Sequence, residues 1–306
     1  MRQRDDDSAS DVHPFADEDD DANADDSAAV FAALSDPLRV EILEALAAHH
    51  REQGPRTPVG FADLRRRVDV RDSGRFRYHL RKLQDHFVRG TDEGYRLTHA
   101  GTEVVAAILA GTYTEQPSLG PADLDSHCPL CGGTARATYE EGFCMVTCPG
   151  DHALFGWAVP PNAVSDATLP EVVELAERLG FQAMELAIDG VCPKCYSPVQ
   201  PGVVVDDPQP KFAARCDTCG GRERGPVGFC LFVDPQVAAF YRRHGRPLED
   251  RHPWELPFAQ GEETLAGVHE DPVRIEFELA LDDEVLAVTV DDSGRVVAAD
   301  RREREG

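Results

Sequence analysis

The stretch SGRFRYHLRKLQDHF, residues 73–87, places apolar side chains at Phe76, Leu80, Leu83 and Phe87. At 100° per residue these four fall within about 60° of one another, the spacing of an amphipathic helix with one face in a core. Tyr78 and Arg81 fall on the opposite side with Gly74 beside them, and Arg75, Arg77 and Lys82 flank that side. A helix that opens on a serine cap at Ser73 and turns cations and a tyrosine outward has the makeup of one that enters a DNA major groove. There arginine reads guanine edges bidentately, and Ser73 or Tyr78 can hold a phosphate. A helix face charged only for solubility is the competing explanation, and DNA binding is favoured over it because the basic residues concentrate where the element order predicts a recognition helix.

Upstream, Phe31, Leu34, Leu38, Ile42, Leu43 and Leu46 recur at helical spacing, and Ser35-Asp36-Pro37 caps a new helix within the run. A short helix is expected at Phe61–Val68. After residue 87, Phe87-Val88-Arg89 and Tyr95-Arg96-Leu97 flank a turn at Thr91–Gly94, and Ala100–Leu109 reads as a closing helix. Three helices, a hairpin and a helix is the order of a winged helix-turn-helix domain, expected over residues 27–112. The wing tip carries Asp92 and Glu93, which repel phosphate, so only Arg89 and Arg96 at its stems are expected contacts.

Charge is distributed unevenly over the 306 residues. The formal net charge is -25, yet residues 31–110 carry 13 basic and 11 acidic side chains, so the basic-leaning region coincides with the helix-turn-helix pattern. Nucleic-acid binding needs a local positive face rather than a positive total. Residues 1–26, with runs such as Asp5-Asp6-Asp7 and Glu18–Asp21, cannot offset their ordering entropy and are expected to be a disordered acidic tail. Only Lys82, Lys194 and Lys211 stand against 28 arginines. This composition is similar to that of proteins from salt-in halophilic archaea.

The segments FAALSDPLRVEILEAL (31–46) and DSGRFRYHLRKLQDHFV (72–88) together resemble the ArsR-type winged helix of archaeal regulators. The resemblance covers residues 28–111. It implies a homodimeric DNA-binding repressor or activator whose first and last helices in this domain form the dimer interface. Metal-sensing members carry a Cys-x-Cys pair at the recognition helix. Residues 28–111 contain no cysteine, so thiol-based sensing by this domain is not expected. The cysteine-rich region downstream resembles C-terminal extensions of haloarchaeal regulators.

That region holds two clusters. Cys192-x2-Cys195 and Cys216-x2-Cys219 form a full four-thiolate set separated by room for a hairpin, the pattern of a zinc ribbon. Gly220 and Gly221 are expected to supply the positive φ such knuckles use. In the first cluster Cys128 and Cys131 are joined by a pair chosen from Cys144, Cys148 and His152. Cys144 and Cys148 stand about 13 Å apart along an extended strand, whereas Pro149-Gly150 can bend Cys148 and His152 onto one ion. The favoured set is therefore Cys128, Cys131, Cys148 and His152, with Cys144 the alternate. Both sites are expected to hold structural zinc, two ions per chain. Four protein donors leave no place for a reactive water.

The remaining organisation is a first ribbon-like module over 113–160, a linker and helix over 161–189 with the helix at Leu169–Ile188, and the second ribbon over 190–233. Each ribbon is expected to end in an apolar strand, Leu154–Val159 and Val227–Val233, with Cys230 a buried small hydrophobe. Residues 234–306 are expected to add a helix at Pro235–His244 and two or three antiparallel strands with one wet face. The fold class is thus α+β multidomain, of three or four small domains. No nucleophile-base pair, P-loop or dinucleotide glycine motif is present, so an enzyme is not expected. A membrane span and a signal peptide are not expected either, which points to the cytoplasm. The reading is a DNA-binding regulator with structural zinc ribbons. The alternatives are a zinc-dependent redox or metal sensor and a ribbon protein that binds RNA or the transcription machinery.

Overall fold

The computed structural model describes residues 27–54, 57–205, 209–260 and 264–304. The acidic segment 1–26 lies outside them. The chain forms two compact units, one ending at Leu109 and one beginning at Ala110. Among the described residues no helix is long and apolar enough to cross a membrane.

The first unit begins with a helix over 27–32 (α1), followed by α2 (Pro37–Gln53), α3 (Phe61–Arg67) and α4 (Ser73–Gln84). A hairpin of β1 (Val88–Thr91) and β2 (Gly94–Leu97) precedes α5 (His99–Leu109). Asp36 caps α2 by accepting from the Leu38 amide at 3.0 Å, and Pro37 stands in the first turn. Ile42, Leu43, Leu46, Leu64, Phe76, Leu80 and Leu83 are fully buried together and form the centre of this core. Val59 exchanges two backbone hydrogen bonds of 2.9 Å with Tyr95, adding a bridge to the open side of the hairpin.

The second unit is α+β, with three small antiparallel sheets. Strands β3 (Leu119–His127), β4 (Thr134–Glu140), β5 (Phe143–Thr147) and β6 (Ala153–Ala158) form a meander in that order. The helix α6 (Leu169–Ile188) follows, then the three-stranded sheet β7 (Gln200–Val204), β8 (Lys211–Arg215), β9 (Arg222–Pro226). After α7 (Pro235–Arg243) and α8 (Pro257–Gln260) comes a meander of β10 (Leu265–Glu270), β11 (Val273–Leu281), β12 (Glu284–Asp291) and β13 (Val296–Glu303). This last sheet has four strands where two or three were expected, because β10 and β13 carry too few apolar residues to announce themselves. Along β11 Ile275, Phe277, Leu279 and Leu281 are buried and the residues between them are not, so one face is wet.

Helix α6 joins these layers. A capping box at Thr168 and Glu171 opens it. Val172, Val173 and Ala176 pack into the first sheet, while Met184, Ala187 and Ile188 cover Phe212 and Ala214 of the second. The segment before it is not a linker. Pro161 sits in a short 3-10 turn, and Val164 and Leu169 are buried in the core of the first sheet, since the prolines turn the chain back onto it. Val227–Val233 is likewise a 3-10 helix rather than a strand. A short unbroken apolar run cannot distinguish a strand from a buried helical segment, and here Phe229 and Phe232 pack among rings from two sides, with Phe232 stacked on Phe181 at 4.5 Å.

A polar tie crosses the second unit. The Trp254 indole donates to Ser126 Oγ at 2.9 Å, and Ser126 donates to Glu255 Oε1 at 2.6 Å. His252 lies flat on Trp254 at 4.4 Å and bonds Glu177 of α6 through Nδ1 at 2.7 Å. Burial lowers the His252 pKa, but the carboxylates of Glu177, Glu255 and Glu174 outweigh it and leave the imidazole above its usual value of 6.5. A raised folded-state pKa stabilises the fold fully below the unfolded value of about 6.5, and this contribution is lost as pH rises through the folded value. Thermal denaturation of the intact chain should therefore show a stability loss of the second unit above pH 6.5, and His252→Gln should flatten that part of the profile. An unchanged profile in the variant would remove the tie as a source of stability.

Candidate metal centres and a candidate nucleic-acid interface

Three knuckles in the second unit close by the same backbone logic. In the first, the Gly132 amide donates to the Cys128 carbonyl at 2.9 Å and the Cys128 amide to Gly133 O at 2.8 Å. In the second, Tyr196 donates to Cys192 and Cys192 to Ser197, each at 2.9 Å, and in the third Gly220 donates to Cys216 and Cys216 to Gly221, each at 2.9 Å. Each closure needs a left-handed residue after the second cysteine, supplied by Gly132 (φ 70°), Tyr196 (φ 61°) and Gly220 (φ 71°). Of the two glycines expected to serve this purpose, Gly220 does so and Gly221 instead accepts the closing bond. The turn at Cys148 closes through the Asp151 amide, 3.0 Å from Cys148 O, with Asp151 at φ 57°.

These turns bring the donors together. Cys128, Cys131, Cys148 and His152 form one tetrad and Cys192, Cys195, Cys216 and Cys219 another, with the ligand atoms of each within 4.8 Å of one another. In the first, Cys131 and Cys148 sulfurs are 3.5 Å apart, and His152 Nδ1 is 3.5 Å from Cys128 Sγ and 3.3 Å from Cys148 Sγ. In the second, Cys192 lies 3.7 Å from Cys219, and Cys195 lies 3.5 Å from Cys216. A tetrahedral ion with bonds of about 2.3 Å to sulfur spaces its sulfurs by about 3.7 Å. The donors therefore fit a four-coordinate metal ion. Among the described residues they need no fifth ligand from the protein.

Cys144 is not part of the first tetrad. It sits fully buried on β5, opposite Trp157 in the strand register, where burial and then the nearby Glu177 push its thiol up to about 11. Ladder pairing holds β5 extended from Phe143 to Thr147, which turns Cys144 into the core and leaves Cys148 at the open end. Cys230 is also fully buried, and burial raises its thiol pKa strongly. His127 is exposed at the end of β3 and belongs to neither tetrad.

In the first unit, α4 divides as its periodicity indicates. Phe76, Leu80 and Leu83 are fully buried, while Ser73, Arg75, Arg77, Tyr78, Arg81 and Lys82 are exposed, Tyr78 by 57%. The cap differs from the expected one. Asp72, not Ser73, accepts the Gly74 and Arg75 amides at 2.7 and 3.1 Å, because its carboxylate also meets the positive helix terminus. Those amides hold its carboxyl below the usual range. Ser73 is the first helical residue and is exposed. Arg77 lies over the Phe61 ring, with its guanidinium carbon 5.3 Å from the centroid. Arg75, Arg81 and Lys82 form no ion pair among the described residues.

The hairpin residues differ from one another. Arg89 is exposed, whereas its register partner Arg96 is half-buried and lies close enough to His50 to help depress that imidazole, after burial and His49. His79, which the sequence leaves between surface and core, is buried, with Arg39 Nε 3.4 Å and Asp36 Oδ1 3.6 Å from its Nδ1. The residues that sequence reasoning missed are Glu177, His252, Ser126 and Glu255. Their only sequence signal is the pair of prolines that fixes Trp254.

Comparison with known proteins gives two family matches. The model described as "Domain of unknown function (DUF7351)" matches residues 125–296, and the one described as "Domain of unknown function (DUF7347)" matches residues 27–108. No curated protein and no solved structure matches. The two matches fall on either side of the division at Leu109 and Ala110.

Native mass spectrometry should find two divalent ions per chain, one for each tetrad. Cys148→Ser or His152→Ala should remove one, and Cys144→Ser should remove none. Loss of an ion in the Cys144 variant with the fold intact would reassign the first site.

Proposed function

The chain belongs to the DUF7351 family, and we propose that it is a DNA-binding transcriptional regulator with two structural zinc sites. The observation that carries this reading is the outward face of α4, where Arg75, Arg77, Tyr78, Arg81 and Lys82 stand exposed on a helix anchored by Phe76, Leu80 and Leu83. With α3 ahead of it and the β1–β2 hairpin behind, α4 occupies the place of the recognition helix in a winged helix-turn-helix domain of ArsR-like type. Arg77 and Arg81 read bases in the major groove, Ser73 and Tyr78 hold phosphate, and Arg89 reaches the backbone from the wing. Arg96 is half-buried near His50 of α2 and is a weaker contact. The turn Asp92-Glu93 keeps its tip away from the duplex.

Operators for such domains pair half-sites by two-fold symmetry, and α1 and α5 suit a homodimer interface. Phe31 is 73% exposed and Leu109 48% exposed, large apolar side chains with no cover within the first unit. In the second unit the soft thiolate and imidazole donors favour zinc over harder cations. A filled coordination shell makes each ion a structural element, worth on the order of 10 kcal/mol of folding energy in small metal-bound modules. The chain on this reading is a cytoplasmic, non-enzymatic protein, and the arginine-rich acidic surface suits a cell interior of high salt.

The test is genomic footprinting of the tagged protein followed by gel-shift titration of the strongest site. A palindromic site with half-sites about one helical turn apart is expected. Arg77→Ala and Arg81→Ala should each weaken specific binding about tenfold, since one bidentate base contact is worth about 1–3 kcal/mol, while circular dichroism and metal content stay unchanged. Full retention of specific binding in both variants would refute the assignment of α4. Zinc is checked by elemental analysis of the purified protein.

A further inference from the structure

The three-stranded sheet of the second ribbon has two unlike faces. Residues directly opposite in an antiparallel ladder project to the same side. The register pairs Arg215 with Arg222 and Ala213 with Arg224, and on the other edge Gly202 with Ala213. One face therefore carries Arg215, Arg222 and Arg224 around a floor of Gly202 and Ala213, with Lys211 further along the same side. The reverse face carries Phe212, Ala214 and Glu223, all buried, and the two apolar residues pack on α6.

The cationic face costs the sheet stability rather than adding to it. Like charges directly opposite destabilise a strand pair, and Arg215 faces Arg222. No acidic side chain occupies the described strand positions of this face to compensate. Among the described residues Arg222 and Arg224 form no ion pair, and Arg215 reaches only Asp217, at 3.9 Å with both side chains exposed. All this stands in a chain of net charge -25. The face is also open along its β7 edge, since a side chain built on Gly202 would meet nothing nearer than Ala213 O at 3.9 Å.

Tyr196 stands at the knuckle end of this sheet, 71% exposed. It holds the left-handed position that the other two Cys-x2-Cys knuckles give to Gly132 and Gly220. A bulky side chain there is strained, and its exposed ring gains no core packing in return. The residue just before Cys195 is Lys194, also exposed. A strained, exposed aromatic ring at the end of a sheet whose Arg222 and Arg224 form no ion pair among the described residues is the chemistry that stacks a base and holds its phosphates.

We propose that the Arg215–Arg222–Arg224 face of β7–β9, with Tyr196 at its edge, docks single-stranded nucleic acid. The cations track the sugar-phosphate backbone, and the Tyr196 ring stacks on an unpaired base. A duplex fits less well, because the major groove admits a helix or a two-stranded ribbon, and this sheet is three strands wide. The surface belongs to the second unit and α4 to the first, and a single-stranded probe tests it whether or not α4 enters a duplex.

The experiment is fluorescence anisotropy of the metal-loaded full chain with a short fluorescein-labelled oligothymidylate, titrated from low to high salt. Binding is expected at low salt. Arg222→Gln combined with Arg224→Gln should reduce affinity about tenfold and make the log–log salt slope shallower by about 1.4, at about 0.7 for each single-strand phosphate that is no longer neutralised. Tyr196→Gly should reduce affinity about fivefold or more, yet leave metal content unchanged and the melting temperature equal or higher, because it relieves the left-handed backbone. This second variant decides the matter if the arginine pair disturbs the metal site. Absence of wild-type binding at low salt, or undiminished binding by Tyr196→Gly, overturns the proposal. Polyglutamate competing as well as unlabelled oligothymidylate would also overturn it and assign the face to an acidic protein.

Discussion

The second unit rests on four donors meeting at one point, twice. The strands of the second ribbon are five residues long and bury few large side chains of their own, Phe212 chief among them. Such a sheet has little apolar area from which to offset its ordering entropy. Its geometry follows instead from knuckles whose backbone bonds aim Cys192, Cys195, Cys216 and Cys219 at a common centre. Helix α6 then turns those local constraints into a fold. Its first half packs into the core below one tetrad, and its last turns cover Phe212 and Ala214 beside the other.

What was legible in the sequence was whatever a fixed spacing encodes. Cys-x2-Cys implies a tight turn, and the bend allowed by Pro149-Gly150 was enough to prefer His152 to Cys144. The periodicity of Phe76, Leu80 and Leu83 gave the buried stripe of α4, and the span Leu169–Ile188 matches α6. The illegible parts depend on partners distant in the chain. Val227–Val233 reads as a strand because an apolar run has no intrinsic period, and only the rings around Phe232 make it a 3-10 turn. Ser126 and Glu255 are separated by 129 positions and Glu177 and His252 by 75, so no local pattern could join them. The cap at Asp72 was missed for a smaller reason, since Asp and Ser are both favoured N-caps and lie side by side, and only the carboxylate's added attraction to the helix terminus separates them.

Among the described residues two exposed basic faces stand out in the acidic chain. One is the exposed side of α4, the other the arginine-bearing side of β7–β9, and they differ in shape: a narrow rod and a flat floor. In molar salt, where the screening length is about 3 Å, distant charge contributes little to either. Contacts at either surface would then depend on directional hydrogen bonds and stacking, for which arginine is better suited than lysine. The chain carries 28 arginines against three lysines.

The positions of the two remaining cysteines carry a practical consequence. Seven of the nine thiols are committed to the tetrads, and Cys144 and Cys230 are sealed in the core with their thiols held protonated. In a fully loaded, folded molecule the exposed thiolates would all be held by an ion and would react slowly with an alkylating dye. Colour developed by a thiol-counting reagent on the native protein would measure ion release or unfolding directly, so the chain carries its own chromogenic gauge of integrity.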